Sequence, residues 1–377
     1  MNPITQNVLK LERNNTLTLV GSRKIIFLCG VVFDNENSKD KRTTLKNYLL
    51  NDPALHPLIL EENFGPRTYN RINLHNLYDV ETLVACFANG TIIIHESIST
   101  GSELGMLAAN KSVASKLLVI HPDRDSVEES KITSFIYFAF YGGDKPVLDK
   151  KWAVPFYPAL ERKFDSNDRY VYHTTFPDNL EGNSYTRNTI GKFLAAPSVQ
   201  LLKSLKFMKP KYLVPSVEQP SLVDYYLGGP EGDIESLQIH ISPMALRELL
   251  FGLVSIDEVQ DKVHNSTSLS EVMTVLEEEL QKLLLATAEQ KLAIKVLKIK
   301  INLKGLELST FQDKTTSQLR KAIGLFIFLL KTLSYLSIEN DTHFKFKRDF
   351  NVAKALYNQM IVQSAASAFE DHMLEEA

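Results

Sequence analysis

The chain is poor in the features that assign a protein quickly. It holds two cysteines in 377 residues, Cys29 and Cys86. With no CxxC and no Cys/His cluster, a disulfide framework and a structural zinc site are excluded, and a reducing compartment is expected. Neither sign of charge dominates: 42 basic against 45 acidic residues leave −3. No global field therefore draws the chain to nucleic acid, although a local basic face stays open. Long apolar runs are missing as well. The richest, Ile323–Leu330, is bracketed by Lys321 and Lys331 and falls well short of the ~20 residues of a membrane span. The N-terminus lacks the apolar core of a signal peptide. A soluble, cytoplasmic protein with no membrane partner is expected. GxGxxG and GxxxxGK[ST] are both absent, so neither a dehydrogenase fingerprint nor a Walker loop is supported.

What is present reads as a globular chain, 44% apolar and 23% charged, too long for one ordinary core. Strand-like runs at Lys24–Cys29, His56–Leu60, Ile92–Ile94, Leu117–Ile120 and Tyr170–Thr175 alternate with helical stretches. The helices are Lys41–Leu50, Asn73–Ala88, a segment from about Glu103, and Asn183–Leu194. Asp144–Asn167, with its prolines and the single Trp152, reads as an insertion over the sheet. Such alternation predicts an α/β fold: a five-stranded doubly wound parallel sheet, flavodoxin- or Rossmann-like, over residues 1–205. Pro210, Pro215, Pro220 and Gly228-Gly229-Pro230 then read as a linker. Residues 206–377 read as a mainly helical partner-binding or oligomerisation domain. Alternating KIKINLK (Lys298–Lys304) and HFKFK (His343–Lys347) suggest one small β wing. A winged-helix DNA reader and a packing domain both fit that pattern.

The informative stretch is Thr91–His121. A β-branched run, Ile92–Ile94, leads into a polar turn from His95 to Ser102; a helix and a second apolar run, Leu117–Ile120, follow. Ligands of open α/β sheets bind at the carboxyl ends of such strands. A Ser/Thr/Gly loop entering a helix offers free N–H groups and hydroxyls to a phosphate. Glu103 would project from the first helical turn into the same crevice. A phosphate site beside a carboxylate suits chemistry at an anomeric carbon, where a carboxylate stabilises or traps an oxocarbenium-like state. Glu61, Glu62 and Glu96 are the other acids at strand ends, Glu62 being preferred for its place beside Asn63. Asp79 and Glu81 read as surface charges, and His95 as a structural histidine. No spacing suggests a metal.

The run SISTGSELGMLAAN (Ser97–Asn110) resembles the signature of the nucleoside 2-deoxyribosyltransferase-like family. KIIFLCG and LLVIHPD fall in that family's order. Together with Glu61-Glu62-Asn63-Phe64, GSELG and SFIYFAFYGG, they are similar to its retron (antiphage) effector branch, over about the first 205 residues. The resemblance implies Glu103 as nucleophile and Gly101 and Ser102 as the loop contacting the sugar or its 5′-phosphate. It further implies Ser97 as a phosphate-binding serine and Gly30 as the glycine after the first strand. Gly101 is followed directly by Ser102 and Glu103, a departure from the family's commoner Gly-x-Gly-x-Glu. The implied activity is an N-glycosidase hydrolysing NAD as substrate, with no cofactor. The implied partners are a homo-oligomer and a retron reverse transcriptase with its small DNA and RNA. The alternatives are a nucleoside deoxyribosyltransferase or nucleoside-monophosphate glycosidase, and a non-catalytic nucleotide sensor.

Overall fold

The computed structural model describes residues 23–31, 41–95, 97–122, 152–156, 180, 185–195, 223–228, 236–292, 298–309, 315–340 and 342–355. They form two compact units. One contains Arg23–Asn63 and the described part of Ala88–Pro197; the other contains Phe64–Phe87 and the described part of Ser198–Ala377. The units therefore differ from the sequential halves expected at residue 205. Phe64–Phe87 leaves the α/β unit because its apolar side chains pack on the helices of the second.

The α/β unit is a parallel sheet, as its alternating pattern predicts. β1 (Lys24–Cys29), β2 (Leu55–Leu58), β3 (Gly90–Ile94), β4 (Leu117–Pro122) and β5 (Trp152–Phe156) stand in the order β2-β1-β3-β4-β5. β1 and β3 pair with Ile26 opposite Gly90 and Cys29 opposite Ile93, and β3 pairs with β4 from Thr91↔Leu117. Both faces of β3 are buried, which is why it reads as an unbroken apolar run rather than an alternating one. One correction concerns β5. It lies inside the stretch expected to be an insertion, while the expected strand Tyr170–Thr175 falls outside the described residues.

Helices α1 (Lys41–Leu50), α2 (Leu60–Asn63), α5 (Ile98–Ala109), α6 (Lys111–Ala114) and α7 (Tyr185–Ala195) belong to this unit. α3 (Pro66–Asn70) and α4 (Leu77–Phe87) belong to the other. Leu45 and Leu49 of α1, Ile190 and Phe193 of α7, and Ile26, Leu28, Ile92, Ile94, Leu118 and Ile120 of the strands make one core cluster. Phe193 packs so closely on β3 that a Cβ at Gly90 would stand 2.8 Å from its Cζ. Asn89 fixes the entry to β3, its Oδ1 accepting from Ile25 N at 2.9 Å.

The second unit is more than helices. α8 (Pro243–Val254), α9 (Asp257–Asn265), α10 (Leu269–Leu292) and α11 (Gln318–Thr332) accompany a three-stranded sheet of order β6-β7-β8. Its strands are β6 (Val223–Gly228), β7 (Ser236–Ile241) and β8 (Lys298–Leu303), and β6 and β7 fall where the sequence reads as a linker. The wing is a separate hairpin, β9 (Leu336–Glu339) with β10 (His343–Phe346). The two alternating segments thus belong to different sheets: β8 pairs in parallel with β7. The helix before the hairpin, α11, is buried from Lys321 to Leu330. A helix buried along that length cannot enter a DNA groove, so α11 is not a recognition helix. Asp79 and Glu81 are buried rather than on the surface. Asp79 accepts from Asn76 Nδ2 at 2.9 Å and from Ser309 N at 2.8 Å, anchoring α4 within this unit.

Candidate active site

The strand order of the α/β unit reverses between β1 and β3, and their carboxyl ends carry the candidate residues. β1 ends at Cys29 and Gly30 follows. A Cβ at Gly30 would lie 3.2 Å from Arg42 Cβ and 3.5 Å from Ile94 Cβ. The missing side chain leaves room for the Arg42 stem to cross the strand end. Arg42, near the start of α1, is 5% exposed. Its Nη1 donates to Glu61 Oε1 at 2.7 Å, Glu61 standing in the short helix after β2.

β3 ends one residue before His95, whose imidazole is buried. Its Nε2 would be 3.5 Å from a Cβ at Gly101, so the ring lies against the first turns of α5. Burial holds the His95 pKa below its usual value, its own backbone carbonyl opposing. Nδ1 is enclosed without a hydrogen-bond partner. Glu96 lies outside the described residues.

α5 begins at Ile98, five residues before the expected start. Ser97 is its N-cap in a reciprocal box: Ser97 Oγ accepts from Thr100 N at 3.2 Å, and Thr100 Oγ1 accepts from Ser97 N at 3.0 Å. Gly101 N already donates to Ser97 O at 3.0 Å. The backbone donors of this helix end that no helical bond uses are therefore those of Ile98 and Ser99, not those of Gly101 and Ser102. Ser102 is exposed and its hydroxyl donates back to Ile98 O at 3.1 Å. Gly101 and Ser102 are helical residues rather than loop residues, and Glu103 stands in the second turn.

Glu103 is half-buried. Ser99 Oγ donates weakly to its Oε1 at 3.5 Å, while Oε2 is enclosed without a partner. Burial raises its pKa above the ordinary carboxyl value. The Glu61 carboxylate adds to the rise, and the Cys29 thiol, Ser99 hydroxyl and Arg42 guanidinium oppose it. An enclosed carboxylate with one unsatisfied oxygen at a sheet's carboxyl edge is poised for an electrophile or a proton, since an unmet buried acceptor is costly.

Of the residues predicted from sequence, Gly30, Ser97, Gly101 and Glu103 come together around the β1 and β3 ends. Glu62 instead forms an ion pair with Lys46 of α1, and Glu61 is the acid of that pair that couples to Glu103. Arg42 and His95 were missed. A lone arginine in KRTTLKNYLL carries no motif, and a single histidine after a strand has no spacing to mark it. The signal that could have found Arg42 was the glycine ending β1, which implies a neighbour crossing there.

Residues 38–179 match the family model described as "STM3845 retron effector protein". The chain is also 29% identical over 193 residues to an Escherichia coli protein. That relative is named "Retron Ec73 putative ribosyltransferase/DNA-binding protein", and the alignment covers 46% of this chain and 60% of the relative. The chain thus spans about three fifths of the length of the curated relative it matches. The matched family segment contains Arg42, Glu61, His95, Ser97 and Glu103.

Proposed function

We propose that the α/β unit is an N-glycosidase that cleaves the glycosidic bond of a nucleotide. In this reading NAD is the substrate, Glu103 is the nucleophile, and the protein is the toxic effector of a retron-type antiphage system. The observation that carries the reading is the enclosed Glu103 carboxylate, with Oε2 unpartnered beside the ends of β1 and β3. Similarity to a retron effector family supports the defence setting, and the relative's name supports glycosyl transfer. The strand order β2-β1-β3-β4-β5 supports the doubly wound, Rossmann-like reading of the unit.

The chemistry follows from the carboxylate. An oxygen of Glu103 attacks C1′ of the ribosyl group and forms an ester. The C1′–N bond breaks, and its electron pair neutralises the pyridinium, so nicotinamide leaves without needing an acid. Water then attacks C1′, loses its proton, and releases the Glu103 carboxylate with ADP-ribose. The N–H groups of Ile98 and Ser99, at the positive end of the α5 dipole, face the phosphate in this reading. The second unit then serves assembly, with a homo-oligomer and a retron reverse transcriptase with its DNA and RNA as the partners.

A nucleotide panel tests this. Purified protein and its Glu103→Gln variant are incubated separately with NAD, deoxynucleoside monophosphates and nucleosides, and products are separated by chromatography. Nicotinamide from the native protein alone is expected. Base release from deoxynucleotides instead would move the assignment to a deoxyribosyltransferase-like hydrolase. Tight binding with no turnover, alone or with the retron components, would make the unit a sensor.

A further inference from the structure

The acids and the arginine at the β1 end make an arrangement that the nucleophile role does not by itself require. A buried guanidinium is costly unless it meets an anion. Arg42 reaches its site only because residue 30 has no side chain: its Cβ and Cδ run 3.2 and 3.5 Å from where a Gly30 Cβ would be. The stem thus crosses the strand end next to Cys29, whose thiol hydrogen-bonds to Glu103. At its tip Nη1 meets Glu61 Oε1 at 2.7 Å, and the Glu61 side chain is 60% exposed. The arginine is held from the solvent side by one carboxylate and faces the enclosed carboxylate of Glu103 from the other.

We propose that Arg42 is a positioning residue for the Glu103 site. Threaded past Gly30 and held by Glu61, it supplies the counter-charge that keeps the enclosed carboxylate anionic and oriented toward the crevice. The proposal rests on Glu103 being the reactive group, as read above. The groups facing Glu103 are Cys29 from β1, Arg42 from α1, Glu61 from α2 and Ser99 from α5. Neutral His95 stands after β3 against Gly101. Among these Arg42 is the one cation. Glu61 acts in two opposed ways: it repels the Glu103 charge and anchors the arginine that attracts it.

Two measurements on the full chain test this. The first follows the Glu103 carboxyl carbon by NMR in ¹³C-glutamate-labelled protein, assigned by its loss in Glu103→Gln. In Arg42→Gln the titration midpoint is expected to rise by about one unit or more. Arg42→Lys should restore it in part, and Glu61→Gln should lower it, because one repulsion is gone and the guanidinium is released toward Glu103. The second is the pH dependence of nicotinamide release. Its acid limb should move with the midpoint, costing Arg42→Gln about tenfold in rate one pH unit below the native midpoint. A folded Arg42→Gln with an unmoved midpoint overturns the proposal. If that variant fails to fold, Glu61→Gln decides: a lowered midpoint supports the counter-charge, an unmoved or raised one overturns it. Shifted midpoints without turnover on any nucleotide would uphold the role of Arg42 while removing the glycosidase reading. Turnover with unmoved midpoints would do the reverse.

Discussion

Acidification should loosen the α/β unit through one histidine. His56 lies in β2 opposite Ile25 of β1, and its Nε2 is enclosed without a partner. Burial, with the Arg23 charge adding to it, pushes its pKa down from 6.5 to about 4. The native state therefore refuses a proton that the unfolded chain accepts from pH ~6.5 downward. Stability is fully present above that pH and is lost as pH falls, levelling off once the native histidine protonates near pH 4. A depression of about 2.5 units is about 3 kcal/mol at the limit, of which about 2 kcal/mol has gone by pH 5. Urea unfolding at pH 7 and pH 5 measures it, with His56→Asn as the reference that cannot titrate. The difference between the two pH values should be larger in the native protein than in the variant by about that 2 kcal/mol. The reference matters because Glu103, whose pKa is raised, contributes with the opposite sign and gains stability on acidification. Equal losses in both proteins would refute the argument.

Three further outcomes are expected. Because burial raises the Glu103 pKa, its ionised form costs stability at neutral pH. Glu103→Gln should then unfold at a higher temperature than the native protein at pH 7 while losing turnover, and the stability gap should close as the pH falls to where Glu103 protonates. In α11 a helix-interior Gly→Ala change would ordinarily gain about 1 kcal/mol. A Cβ at Gly324, however, would stand 2.4 Å from Ile72 Cγ2 and 2.8 Å from Ile72 Cβ. Overpacking of that kind costs about 1–3 kcal/mol, so denaturant titration of Gly324→Ala should show a net loss, relieved in part by adding Ile72→Val. Arg247 of α8 donates from Nε to Glu248 Oε1 at 2.9 Å and from Nη1 to Phe87 O at 2.6 Å, deep in the second unit. Arg247→Met strands the buried Glu248 carboxylate and should cost about 3–5 kcal/mol in the same titration. Adding Glu248→Leu should return most of it.

The legible part of the fold was whatever a local pattern determines. β1 and α1 fall where the sequence puts them, since KIIFLC is continuously apolar and Asn51-Asp52-Pro53 ends the helix. β5, β6 and β7 were illegible for a common reason: prolines and glycines nearby read as punctuation, and strand partners far along the chain override that reading. The start of α5 was misplaced because Gly101 was taken as a loop residue. Ser97 and Thr100, three apart, were the better guide, since each caps the other's backbone. Glu103 was legible through a resemblance, while its surroundings were not. Arg42 and His95 touch the site through a strand end and a helix turn that only tertiary pairing brings together. Asp79 and Glu81 show the limit from the other side: acids on an amphipathic helix read as solvated unless a distant partner, here Ser309, is known.

That dependence on pairing sets what holds the candidate site. Gly30, Arg42 and Glu61 come from the chain before residue 64, and His95, Ser97 and Glu103 from the chain after residue 87. The intervening Phe64–Phe87 packs in the other unit, so no local turn links the two groups. Their register rests on β1 against β3, where Cys29 lies opposite Ile93 and Gly30 is left against Ile94. A one-residue slip would reverse every side chain of the strand and carry the His95 ring away from Gly101. Three features oppose a slip: Asn89 bonds back to Ile25 at both its backbone and its side chain, Phe193 fills the space beside Gly90, and Ile92 is buried at zero exposure between sheet faces. The pairing of the reactive acid with its arginine is thus settled at the amino end of β3, about five residues from the chemistry at ~3.3 Å per residue. Asn89→Ala should therefore weaken the Glu103 site more than its distance suggests, read as a raised Glu103 midpoint in the same carbon titration.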